Sequence, residues 1–111
     1  MYQNQRNSPR YPVILPVLLS FGTQITLQGQ IKDLSLKSAF INVKSSSIHM
    51  AIHDDLTFVI EKLPSGIEGT IEGAARISRV APGDGIAVYF TKMDDASTEN
   101  LQRLIDAGVL N

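Results

Sequence analysis

Residues 11–33 read YPVILPVLLSFGTQITLQGQIKD, and their period decides the fold. In the first half Val13, Leu15, Val17, Leu19 and Phe21 fall on every second position. In the second half Ile25, Leu27, Gly29 and Ile31 do the same against Thr26, Gln28, Gln30 and Lys32. Side chains alternate across an extended chain, so each half is a strand with one apolar face, and Gly22 with Thr23 supplies the turn between them. The pair predicts an antiparallel hairpin. Ile14 and Leu18 make the other face of the first strand partly apolar too, and something should cover it.

The same period continues outward from this hairpin. After the connection DLSLK, the run SAFINVK offers Ala39, Ile41 and Val43 as the inward set of a third strand. Ser45, Ser46 and Ser47 open a loop that reaches Asp55, and Leu56, Phe58 and Ile60 form a fourth strand closed by the turn signal Pro64, Ser65 and Gly66. A long fifth run, IEGTIEGAARISRV, sets Ile67, Ile71, Ala75 and Ile77 against Glu68, Glu72 and Arg76, with Gly69 and Gly73 marking a bend or a close approach, as at a barrel corner. Pro82 to Gly85 turn the chain into a sixth strand, IAVYFTK. Then the period changes. Asp94 and Asp95 are N-cap candidates, Glu99 lies in the first turn, Leu101, Leu104 and Ile105 recur at helical spacing, and Gly108 stops the run, which predicts a helix at about 95–107. Six short strands joined by tight turns and followed by one amphipathic helix predict an antiparallel barrel or sandwich, with the helix over an apolar face such as the outer side of Ile14 and Leu18.

A chain of 111 residues suffices for one core. The expected organisation is a flexible N-terminal arm, 1–10, ahead of a single barrel domain, 11–111. The net charge of −1 gives no general attraction to nucleic acid or anionic membrane, so no DNA, RNA or membrane partner is expected. That total hides an asymmetry of +4 over residues 1–50 and −5 over residues 51–111. With no cysteine, thiol catalysis, disulfides and thiolate metal sites are excluded. The polar first ten residues carry no signal peptide, and the apolar run that follows is broken by Pro12 and Pro16, so a cytoplasmic protein without membrane insertion is expected.

Three groups of polar residues stand out. Arg6 and Arg10 lie four apart in the arm, where Pro9 biases Ser8 away from helix. In DLSLKSAF, residues 33–40, Asp33 and Ser35 would share a face with Lys37 if the strand continued, forming a polar ledge; the commoner reading of that spacing is an Asx or Ser turn satisfying its own backbone. Arg76 and Arg79 sit on the fifth strand, where Arg76 would pair with Glu72 at a solvated strand end. His49, His53, Asp54 and Asp55 lack a helix to align two imidazoles, so no metal site is assigned. No serine lies in a nucleophile elbow and no glycine-rich loop precedes a helix, so no catalytic residue is assigned either.

RNSPR, residues 6–10, is an R-x-x-x-R element directly before the first strand, and DLSLKS is similar to a D-x-S-x-x-G element directly after the second. Together, in this order and with the closing helix, they resemble the PilZ domain, the bacterial receptor module for cyclic di-GMP. The resemblance spans essentially the whole chain. It implies a six-stranded antiparallel β-barrel with a C-terminal helix, no enzymatic activity and no cofactor beyond the ligand itself. It also implies noncovalent binding of cyclic di-GMP by Arg6, Arg10, Asp33, Ser35 and Ser38, with Arg79 near a position that often stacks on the ligand. Ser38 departs from the motif, which ends in glycine and so permits positive φ or close approach. Gln5 departs more mildly, standing where many members carry a further arginine.

The ligand chemistry suits these residue types. An arginine fork matches guanine O6 and N7 or phosphate oxygens, and its plane stacks on a purine. A carboxylate accepts from the N1 and N2 hydrogens of guanine, the role expected of Asp33, with Ser35 as a hydroxyl partner. The expected output is ordering of the arm, read by an unidentified downstream protein. The alternative is a PilZ-like adaptor that acts by protein contact without the nucleotide.

Overall fold

The computed structural model describes residues 10–22, 25–43, 50–64 and 66–107. Arg6 and the rest of the arm before Arg10, the serine loop with His49, and Gly108 lie outside them. The elements are β1 (Tyr11–Phe21), β2 (Ile25–Leu34), β3 (Ser38–Asn42), β4 (Asp55–Ile60), β5 (Ile71–Ala81), β6 (Gly85–Met93) and α1 (Asp95–Asp106). Every strand pair is antiparallel, and the order β1-β2-β3-β6-β5-β4 closes on itself as a barrel. The opening hairpin has the register its period implies, with Leu19 opposite Leu27, Val17 opposite Gly29 and Leu15 opposite Ile31. Closure is by a short seam in which Leu18, Leu19 and Ser20 face Val59, Phe58 and Thr57.

The inward residues fill the barrel. Val13, Leu15, Val17, Leu19, Ile31, Ala39, Ile41, Val43, Leu56, Phe58, Ile60, Ile71, Ala75 and Ile77 are all buried. Burying a side chain such as Leu19 contributes roughly 1.5–3 kcal/mol, so the period-two pattern is itself the main source of stability. It weakens at the hairpin tip, where Phe21 and Leu27 are half-buried and Ile25 is exposed.

Two features of the second half differ from the sequence reading. The fifth strand starts at Ile71 rather than Ile67, because Gly69 takes a φ of +101° that a strand does not use. Gly73 is in the strand, and a Cβ there would strike the carbonyl oxygen of Lys92, so its role is the close approach of β5 to β6. The helix does not cover Ile14, which is 69% exposed; it packs against β5 instead. The reason is partly length and partly polar anchoring. Only Asp94 separates β6 from α1, and its carboxylate caps the helix by accepting from the Ser97 amide at 2.8 Å. Ser97 and Asn100, both buried, then tie α1 to the start of β5: the Glu72 amide donates to Ser97 Oγ at 3.0 Å, and Asn100 Nδ2 donates to the Thr70 carbonyl at 2.9 Å. With those bonds made, Leu101 and Leu104 complete the core at the barrel end. No described helix is long and apolar enough to cross a membrane.

Candidate functional site

Strict alternation would turn Asp33 inward, on the side of Ile31. A bulge in the pairing of β2 with β3 falls between these two residues and reverses the sense: Asp33 comes to the outer surface while Leu34 goes into the core at 1% exposure. Fifth-strand geometry repeats the device. A bulge between Ile77 and Arg79 leaves Ile77 inside and brings Arg79 out. Both bulges therefore aim charged side chains that a regular strand would have buried, and each was signalled by a charge on the apolar parity, followed directly by an apolar residue, Leu34 or Val80.

Pairing registers then place these residues in one row across the barrel. Pro12 faces Asp33, Asp33 faces Phe40, Phe40 faces Ala87, and Ala87 faces Arg79. Three strand spacings separate the backbones of Asp33 and Arg79, about 14 Å. The Arg79 side chain shortens that gap by reaching over β6, so that its guanidinium carbon sits 5.7 Å from the centre of the Phe40 ring.

Arg10 enters from the head of β1. Its Nη1 lies 3.3 Å from Asp33 Oδ1, and its Nη2 donates to Ser38 Oγ at 3.2 Å. Both charged side chains are about one-third exposed. The ion pair is one of distance only: Asp33 Oδ1 is shielded from solvent and receives no hydrogen bond from the described residues. The charge attraction of Arg10 offsets the desolvation of that oxygen only in part, because no hydrogen bond accompanies it. This is an attractive place for a donor.

Ser35 and Ser38 form the ledge beside this pair. β2 ends at Leu34, so the chain leaves the strand in a Ser turn: the Ser35 amide donates to the Ser38 carbonyl at 2.8 Å, and Ser35 Oγ accepts from the Lys37 and Ser38 amides at 3.2 and 3.0 Å. Ser35 is 1% exposed, and its hydroxyl is directed into the turn. The turn is held to β6 as well, where the Phe90 amide donates to the Lys37 carbonyl at 2.9 Å. Ser38, the first residue of β3, has an ordinary negative φ, since His53 is the only described residue other than glycine with a positive one. The left-handed backbone that a motif glycine would permit is thus not used here.

A second row runs alongside the first, with Ser38 facing Tyr89, Tyr89 facing Arg76, and Arg76 facing Asp55. Arg76 pairs with Asp55 across the β4–β5 ladder, Nε to Oδ1 at 2.8 Å, and not with Glu72, because Asp55 is directly opposite whereas Glu72 faces Val59. The Asp55 carboxyl is held below the usual range chiefly by this hydrogen bond, and the Arg76 guanidinium is held above its own by the same bond and then by Tyr89. Among the described residues no three His, Cys, Asp or Glu side chains converge as metal ligands would.

Comparison with known proteins identifies the fold. A family model described as PilZ domain matches residues 4–107. Among solved structures the chain is similar to the inhibitor of motility MotI (DgrA) of Bacillus subtilis, at 15% identity and a TM-score of 0.75, over 96% of this chain and 52% of that one. It spans about half the length of that protein. It is also similar to the PilZ domain of CeSA from a cellulose-synthesizing bacterium, at 21% identity and a TM-score of 0.68, over 90% of this chain and 97% of that one. The PilZ domain of YcgR from Escherichia coli, solved with c-di-GMP, matches at 12% identity and a TM-score of 0.74, over 94% of this chain and 91% of that one. At these identities the likeness is one of fold. Curated protein sequences give no match.

Proposed function

The chain belongs to the PilZ domain family, and from that premise we propose that it binds cyclic di-GMP on the outer row of the barrel and relays binding to a downstream protein. The observation that carries the reading is Asp33 Oδ1, a shielded carboxylate oxygen with an arginine beside it and no hydrogen bond from the described residues. A guanine supplies what it lacks, two N–H donors on one edge, and the ionised acceptor makes such bonds roughly 1.5–3 kcal/mol each. Arg10 offers its remaining N–H groups to a phosphate or to guanine O6 and N7. Arg79, already over Phe40, extends the site with a flat cationic surface on which a purine can stack. Ser35 serves through the turn that sets Ser38 and Asp33 in place. Arg6, outside the described residues, would act from the arm as the second prong. The YcgR domain solved with c-di-GMP supports the choice of ligand.

Relay follows from ordering of the arm. Fixing a residue costs about 1–2 kcal/mol, and charge-assisted bonds from Arg6 and Arg10 to the ligand offset part of that cost, so ligand and arm become coupled. This is receptor chemistry, with no bond made or broken. Calorimetric titration with cyclic di-GMP tests it: micromolar or tighter binding supports the proposal, and the absence of heat at high ligand concentration favours an adaptor that works by protein contact alone. Hydrogen exchange tests the relay, and unchanged exchange across residues 1–12 at saturating ligand would rule out the arm as the output.

A further inference from the structure

We propose that Ser38 is a positioning residue, whose hydroxyl holds Arg10 over Asp33 before any ligand arrives; the inference rests on the site proposed above and concerns its regulation by one side chain. Counting donors and acceptors orders the ledge. Ser35 Oγ has two lone pairs, and the Lys37 and Ser38 amides occupy both, at 3.2 and 3.0 Å. Its own proton is shared between two acceptors on Ser38, Oγ at 3.0 Å and the carbonyl oxygen at 3.3 Å. Ser38 Oγ meets that hydroxyl and accepts from Arg10 Nη2 at 3.2 Å. With Ser35 Oγ already accepting twice, the Ser38 proton is left for an acceptor outside the ledge.

Three consequences come from this chain of bonds. The buried Ser35 hydroxyl fixes the rotamer of Ser38, because a hydroxyl donating into it leaves little freedom for its oxygen. Ser38 in turn holds a guanidinium that is one-third exposed and that Asp33 engages without a hydrogen bond. The arginine keeps its Nε–H and the second N–H of each Nη for the ligand, and the Ser38 proton adds a donor suited to a phosphate oxygen. A glycine at this position does none of this, and the ordinary φ of Ser38 shows that nothing in the backbone calls for one. Immobilising a long side chain in advance removes an ordering cost from binding, which is worth several-fold in affinity.

The test has one arm that needs no ligand. In the 15N-labelled protein the guanidinium Nε–H and Nη signals of Arg10, assigned by their loss in Arg10→Lys, should show restricted rotation in the wild type and in Ser38→Thr, and free rotation in Ser38→Ala and Ser38→Gly. In the second arm, calorimetry with cyclic di-GMP should find Ser38→Ala and Ser38→Gly about five- to tenfold weaker than wild type and Ser38→Thr within about threefold. Equal guanidinium rotation in the wild type and Ser38→Ala overturns the proposal, as does unchanged or tighter binding by both Ser38→Ala and Ser38→Gly. If the wild type binds no cyclic di-GMP, the proposed function fails while the rotation arm still decides the role of Ser38.

Discussion

Among the described residues the barrel surface carries two arginine–aspartate pairs, and they differ in how the carboxylate is satisfied. Arg76 and Asp55 are exposed, meet at 2.8 Å in a hydrogen bond, and face each other across a regular stretch of ladder. Arg10 is about as open as Arg76, but Asp33 is only one-third exposed; the two meet at 3.3 Å without a hydrogen bond and owe their positions to a bulge and a Ser turn. An exposed, satisfied pair is a modest contribution to a sheet surface. A pair whose carboxylate oxygen is shielded, and unfilled among the described residues, is a place where a third group improves the balance. On the function proposed, the difference separates a structural contact from a binding contact on the same face of one fold, although both are written with the same two residue types.

Substitution should break this contrast most visibly at the first pair. Arg10→Ala and Asp33→Ala are each expected to weaken cyclic di-GMP binding by about 10- to 100-fold, the size of one charge-assisted hydrogen bond, with the fold intact by circular dichroism. Arg79→Ala should cost less, about three- to tenfold by calorimetry, because a stacked cation contributes ~0.5–2 kcal/mol. Arg76→Ala and Asp55→Ala should change affinity by less than about twofold, within the small scatter of surface substitutions. A loss there matching that at Arg10 would erase the distinction.

The smallest effect sharpens the second pair. Its hydrogen bond lowers the Asp55 carboxyl below the ordinary value of 3.8. A depressed folded value means that the stabilisation is fully present above the unfolded value and is lost as pH falls through the folded one. The pair therefore contributes no slope to stability between about pH 5 and pH 8. Carboxyl chemical shifts followed through an acid titration should place the Asp55 midpoint below 3.8, returning toward 3.8 in Arg76→Ala.

Period two made the barrel legible, since Val13 to Leu19, Ala39 to Val43 and Leu56 to Ile60 alternate without interruption and are buried as written. The change of period after Met93 made the helix legible too, down to its Asp94 cap. Its docking face was not, because Ser97 and Asn100 look like solvent-facing residues until the free backbone groups of Thr70 and Glu72 are placed beside them. In the site, the motif spacing brought Arg10, Asp33, Ser35 and Ser38 to one corner. What spacing could not convey was the hand of Asp33 and Arg79, which depends on single-residue bulges, nor the inward turn of Ser35, which depends on two amides donating to one hydroxyl. Periodicity reports averages over a strand, whereas bulges and turns are local exceptions set by one or two residues.

The contrast between the two pairs is tested most directly by following amide chemical shifts of the 15N-labelled protein during titration with cyclic di-GMP. The account predicts the largest shifts at Arg10 and across Asp33 to Phe40, smaller ones at Tyr89, which adjoins both rows, and little change at Asp55. Shifts centred on Asp55 and Arg76 with Asp33 to Phe40 unmoved, or no shifts at saturating ligand, would contradict it.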